Sequence, residues 1–146
     1  MRISVEDITK FLLNFIAEGD FVPDAGCGDC GRLKELKKLK EITAFGVDVL
    51  ISQPYSGFGI NCSEMRAENI DKLPEKFNLI FTAYSFHHFA EPERFPENAK
   101  NRLVGGGKLI IIDWKFDAVT DNPNEEYYKA SGIEKFLMDA GFKNRE

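Results

Sequence analysis

Phe21-Val22-Pro23-Asp24-Ala25-Gly26-Cys27-Gly28-Asp29-Cys30-Gly31 is the stretch that decides the fold. A short apolar run enters three glycines spaced G-x-G-x-x-G, which predicts a strand, a tight turn and then a helix. Glycine lets the backbone approach a ligand closely, and a helix entry aims free amide N–H groups at it. A glycine turn alone is a weak signal, but three features follow it in order. Asp48 ends the next strand-like run. A buried-looking strand from Phe77 to Ser85 leads into Phe86-His87-His88-Phe89. Gly105-Gly106-Gly107 then launches Lys108-Leu109-Ile110-Ile111-Ile112-Asp113.

Outward from the turn, helices and strands alternate. Ser4 to Glu18 reads as a helix, with Ile8, Phe11, Leu12, Phe15 and Ile16 at helical spacing, Ser4 and Asp7 as a capping box, and Gly19 as its end. Gly31 to Lys40 reads as the next helix, Ile42 to Val47 as the second strand and Ser63 to Glu68 as the third, with Asn69 at its end. Pro54, Gly57 and Gly59 break any long helix between them. Pro92 to Val104 holds a helix after the fourth strand, entered at Pro96. Lys108 to Asp113 reads as a fifth strand buried on both faces, and residues 115–126 as a polar loop. A last helix spans Gly132 to Ala140, with Ser131 and Glu134 as a capping box and Gly141 as its cap. Such alternation predicts right-handed crossovers and a mainly parallel sheet. Ligands then sit beyond the carboxyl ends of the strands, where the glycine turn, Asp48, Asn69 and residues 84–88 all fall.

The chain has 146 residues, enough for one domain over residues 1–146 with one core. Its net charge of −5 argues against nucleic acid as the main partner. No apolar run approaches a membrane span, and Glu6 and Asp7 spoil a signal peptide at Phe11–Ala17, so the expectation is a cytoplasmic protein. The three cysteines lack the spacing of a disulfide framework. Cys27 and Cys30 form one C-x-x-C, but a zinc site needs a second ligand pair. The expectation is no metal: small side chains in a tight turn, with a redox pair as the alternative.

With these residues in place, the chain resembles the class I S-adenosylmethionine-dependent methyltransferases, in particular their ubiquinone/menaquinone-biosynthesis-like small-molecule branch. Asp24-Ala25-Gly26-Cys27-Gly28 resembles the family's acidic-x-Gly-x-Gly motif, and Gly46-Val47-Asp48 its second motif. Leu73 to Ile80, Ser85-Phe86-His87-His88 and Leu103 to Ile112 resemble its later segments, and Asp113-Trp114-Lys115 continues the match. The resemblance implies an α/β fold: a Rossmann-like three-layer sandwich on a mainly parallel sheet of order 3-2-1-4-5. It implies S-adenosyl-L-methionine as cofactor and methyl transfer by in-line displacement to a small-molecule acceptor. Backbone of Gly26, Cys27 and Gly28 then lines the methionine part, with Tyr84 bordering it. Asp24 helps hold the ammonium, Asp48 accepts the ribose hydroxyls, Val49 and Ile70 sandwich the adenine, and Asn69 takes its amino group. His88, then His87, are the candidates for a base.

The chain also departs from that pattern. The family has aspartate at the positions of Asn69 and Asn78, and the helix expected between Asp48 and Ser63 looks shortened or lost. The family's C-terminal antiparallel strands are short or missing, which leaves the fifth strand as an apolar edge and suggests either a fragment or a homodimer. Two competing functions stand beside the first: a non-catalytic S-adenosylmethionine-binding partner of the same fold, and an NAD-dependent oxidoreductase using the same glycine fingerprint.

Overall fold

In the computed structural model, which describes residues 5–51, 53–114 and 127–143, β1 (Phe21–Ala25) runs up the centre of a six-stranded sheet. β2 (Thr43–Asp48) pairs with β1 in parallel, Asp24 opposite Gly46. β4 (Ile60–Glu64) adds in parallel to β2, and β3 (Tyr55–Gly57) closes that edge antiparallel to β4. On the other side β5 (Phe77–Ala83) and β6 (Leu103–Ile112) follow in parallel. The order β3-β4-β2-β1-β5-β6 contains the expected five-strand order, with one hairpin strand added outside it.

Side chains alternate across a strand, so one sheet feeds two cores. On one face α1 (Val5–Leu13) and α2 (Gly31–Leu39) bring Ile8, Leu12, Leu33 and Leu36 against Val22, Ala44, Ile60 and Phe81. On the other, a 3-10 turn at Ala67–Lys72, α3 (Arg94–Lys100) and α4 (Ala130–Asp139) cover Phe45, Val47, Phe77 and Ile80 with Ile70, Phe95, Ala99 and Phe136. Among the described residues no helix is long and apolar enough to cross a membrane.

Several boundaries differ from the sequence expectation. α1 stops at Leu13 and its buried stripe is narrower: Ile8, Leu12 and Ile16 are inside, while Phe11 and Phe15 remain outside, edge to face at 5.3 Å. Ser4 of the expected capping box lies outside the described residues. The third strand is Ile60–Glu64 rather than Ser63–Glu68, because Phe58 and Gly59, both at positive φ, turn the chain back early. Asn69 therefore sits within the 3-10 turn, not at a strand end. Among the described residues β6 is the edge strand, and Ile110, Ile111 and Ile112 are half-buried instead of covered on both faces. α4 begins at Ala130, which places Ser131 inside the helix, where it makes no cap; Gly141 ends it at φ +94, as expected. The polar segment 115–126 lies outside the described residues.

Candidate functional site

The carboxyl ends of β1, β2 and β5 meet at the glycine turn. Gly26 adopts φ +81, and a Cβ there would lie 2.6 Å from Cβ of Ser85. Only glycine lets the turn seat against the end of β5, where Ser85 Oγ donates to the Gly26 carbonyl at 3.1 Å. The amides of Gly26 and Cys27 both donate to the Val47 carbonyl, at 2.8 and 3.1 Å. The turn is thus tied to both neighbouring strands.

Asp24 is fully buried just before this turn, and neither of its carboxylate oxygens has a hydrogen-bond partner among the described residues. The nearest cation, Arg32, stands 3.9 Å away. Burial pushes the Asp24 carboxyl up to about 7; Arg32 pulls it down and the Asp48 charge pushes it further up. A buried carboxylate without donors is costly unless something cationic completes it. Asp48 contrasts with it. Its Oδ2 accepts the Gly28 N–H at 2.8 Å and its Oδ1 the Leu50 N–H at 3.0 Å. A carboxylate has about four acceptor positions, so two remain for hydroxyl donors.

The adenine assignments divide. Val49 is 57% exposed beside Asp48 and is free to cover a flat ring. Ile70 is fully buried among Phe77, Ile80 and Phe95 and offers no surface to a ligand. The reason is the 3-10 turn, which rotates that residue into the second core. Asn69 is half-buried there, and its Oδ1 accepts from Arg94 at 3.5 Å. The turn is anchored by Glu68, whose carboxylate accepts the Glu91 N–H and Arg66, both at 3.0 Å. Burial alone raises the Glu68 carboxyl, but these donors outweigh it and hold it below its ordinary range.

At the end of β5 Tyr84 takes a left-handed conformation, φ 59, and stacks on Trp114 at 4.6 Å. A bulky residue at positive φ is uncommon and costs energy, which marks this strand end as a built feature. Just beyond it, His87 Nδ1 lies 2.7 Å from Asp113 Oδ1, and Asp113 Oδ2 accepts the His87 backbone N–H at 2.9 Å. Both side chains are almost wholly buried, 2% and 3% exposed. A carboxylate only accepts, so Nδ1 is the nitrogen that donates to Asp113. His88 is exposed, its ring 4.1 Å from that of His87. The sequence ranked His88 first and missed Asp113 as a partner; the one available signal was that both fall at the carboxyl ends of adjacent strands.

The structure also pairs Cys30 with Cys62 in a disulfide, which the cysteine spacing did not suggest. Cys27 stays a free, buried thiol. A cleft of about 580 Å³ opens beside them, lined by Gly28, Asp29, Leu50, Ile51 and Tyr55 among others.

A family model described as "Methyltransferase domain" matches residues 23–111. A search of curated proteins gives no match. Among solved structures, a putative methyltransferase from an antibiotic biosynthesis pathway of Anabaena variabilis is similar over 95% of this chain, with TM-score 0.78 and 16% identity; this chain spans 62% of its length. A SAM-dependent methyltransferase from Aquifex aeolicus is 26% identical, with TM-score 0.71, over 94% of this chain and 80% of its own. A phosphoethanolamine N-methyltransferase from Haemonchus contortus, solved with S-adenosyl-L-methionine, is 17% identical with TM-score 0.74, over 91% of this chain and 36% of its own.

Proposed function

The chain belongs to the methyltransferase domain family, and from that premise we propose that it transfers a methyl group from S-adenosyl-L-methionine to a small-molecule acceptor by in-line displacement. The observation that carries this reading is Asp24. Its buried carboxylate beside the glycine turn has no hydrogen-bond donor among the described residues, with Arg32 only at 3.9 Å, and the cofactor's amino-acid end brings an ammonium that can donate. When bound, the cofactor supplies a methyl group already activated by a sulfonium leaving group.

The residues of this chain then have little bond-breaking to assist; their work is to bind, orient and exclude water. Asp24 holds the ammonium. Backbone of Gly26, Cys27 and Gly28 lines the methionine part, with Tyr84 at its border. The remaining acceptor positions of Asp48 take the ribose hydroxyls, and Val49 covers the adenine, with Asn69 at its edge. His87, held by Asp113 through Nδ1, takes a proton from a hydroxyl or acidic-carbon acceptor. This assignment moves the base from His88 to His87, because the Asp113 carboxylate orients the His87 ring.

Calorimetric titration with S-adenosyl-L-methionine tests the reading, with a thermal-shift comparison of S-adenosylhomocysteine against NADH beside it. Binding and stabilisation by the sulfur nucleosides alone are expected, because a ligand of the native state raises its stability by RT ln(1 + [L]/Kd). Stabilisation by NADH with none from S-adenosylhomocysteine would sink it. Binding with no methyl transfer to any hydroxyl, amine or thiol acceptor would favour a non-catalytic partner protein of the same fold.

A further inference from the structure

Gly46 lies within β2, opposite Asp24 of β1 and Cys62 of β4. A Cβ at Gly46 would meet Cys27 Sγ at 2.8 Å, Cys62 Sγ at 3.2 Å and Cys30 Sγ closer still. All three cysteines of the chain thus converge over one glycine. They come from the glycine turn, the residue entering α2, and β4. Cys30 and Cys62 are joined, and the Cys27 sulfur lies 3.3 Å from that of Cys30. The disulfide lies in the lining of the 580 Å³ cleft, together with Gly28, Leu50 and Tyr55. The hairpin of β3 and β4 stands where the family's helix looked shortened or lost, and the cleft opens on that side.

We propose that Cys30–Cys62 is a thiol-exchange site for a small dithiol reductant admitted by this cleft, and that the bond sets how firmly the glycine turn is held for its ligand. The second half of this proposal rests on the methyltransferase reading; the first does not. The link ties the entry of α2 to β4. Cys30 itself is held at φ 65, two residues after Gly28, whose N–H caps Asp48. Breaking the link frees the turn from β4 and loosens the Gly28–Asp48 contact.

The chemistry balances without an unnamed reagent. A thiolate of the dithiol attacks Cys62 Sγ, the less buried of the pair at 7% against 2% exposure. The Cys30–Cys62 bond breaks, and Cys30 leaves as a thiolate and takes a proton from water. The reductant's second thiolate attacks its own sulfur in the mixed disulfide, and Cys62 leaves as a thiolate and takes a proton from water. Two electrons have passed, the reductant is now a disulfide, and the protein holds three thiols. A second route needs no reductant. Cys27, as thiolate, attacks Cys30 Sγ, a Cys27–Cys30 bond forms, and Cys62 leaves with the proton Cys27 gave up. Burial, then the charges of Asp24 and Asp48, push the Cys27 thiol up to about 12, so this internal exchange is slow at neutral pH and the Cys30–Cys62 form persists.

The test uses the full chain. Native protein is equilibrated with oxidised dithiothreitol, denatured, alkylated and mapped by mass spectrometry, then mapped again after reduced dithiothreitol. The expected result is Cys27 alkylated with a Cys30–Cys62 peptide before reduction, and three alkylated cysteines after it. A Cys27–Cys30 peptide with Cys62 alkylated before reduction overturns Cys30–Cys62 as the resting bond. Three alkylated cysteines in both samples overturn the exchange site. In the same samples S-adenosylhomocysteine should bind about fivefold more weakly after reduction, at the low end of coupling between sites. Cys62→Ser and Cys62→Ala should bind at the weaker level in both conditions. Equal affinities of the oxidised and reduced protein overturn the control of the turn. No binding in any sample removes the methyltransferase reading and that control together, while the thiol map still decides the cross-link.

Discussion

The two halves of the rim solve the same problem in opposite ways. On the β1–β2 side Asp24 is fully buried and has no hydrogen-bond donor among the described residues, its ion-pair partner Arg32 standing 3.9 Å away. On the β5–β6 side Asp113 is equally buried but accepts from the His87 backbone, the Trp114 backbone and the His87 ring, all within 2.9 Å. One half leaves its carboxylate without a hydrogen-bond donor among the described residues; the other supplies the donors from the chain itself. The difference teaches where binding energy is held and where geometry is held. A buried carboxylate short of donors is relieved by a proton or by a cation, while a satisfied pair keeps one ring nitrogen aimed.

Asp24→Asn breaks the comparison hardest. The Asp24 carboxyl titrates near 7 in the folded protein and near 3.8 when unfolded. Its folded value is raised, so the protein carries no penalty below pH 4 and loses stability as pH rises through 7, by about 4 kcal/mol in full. The asparagine variant should flatten that slope in urea unfolding between pH 4 and 8, and be more stable than wild type above pH 7. It should also bind S-adenosylhomocysteine more weakly. An unaltered pH slope would show that Asp24 already has a partner.

Gly46→Ala should lower stability by about 1–3 kcal/mol, the usual cost of forcing a methyl group into packed space, here against three sulfurs. The urea midpoint measures it, and a neutral result would mean that the cysteines do not converge there. Asp48→Ala should weaken S-adenosyl-L-methionine binding by roughly 1–3 kcal/mol, the loss expected for charge-assisted hydrogen bonds. Calorimetry decides it, and unchanged affinity removes Asp48 from the site. Asp113→Asn is the mildest, about 1 kcal/mol of stability. Its sharper readout is the nitrogen NMR spectrum of His87, which should show the Nδ1–H tautomer in wild type and a mixture in the variant. A mixture in both would equalise the two halves of the rim.

Much of the frame was legible in the sequence because it rests on local period and turn chemistry. The apolar runs at 21–25, 43–48 and 77–83 became the three central strands, and the glycine turn and Asp48 fell at their ends. The stretch after Asp48 was legible only in part. The loss of a long helix there was legible from Pro54, Gly57 and Gly59, but not the hairpin that Phe58 and Gly59 form at positive φ, since phenylalanine carries no signal for that conformation. That one turn advanced the third strand and shifted Asn69 and Ile70 onto the 3-10 turn, where Ile70 faces the core instead of a ligand.

What the sequence determined by itself was the alternation of strand and helix, the glycine turn, and acids placed at strand ends, since each depends on neighbours a few residues apart. What only the tertiary structure decided was which distant groups meet. His87 and Asp113 stand 26 positions apart and Cys30 and Cys62 stand 32 apart, yet each pair is in contact. Those meetings follow from the lateral order of the strands, β4 beside β2 and β6 beside β5. Hydrophobic period says which face a side chain takes, and it carries no information about which strand lies next to it.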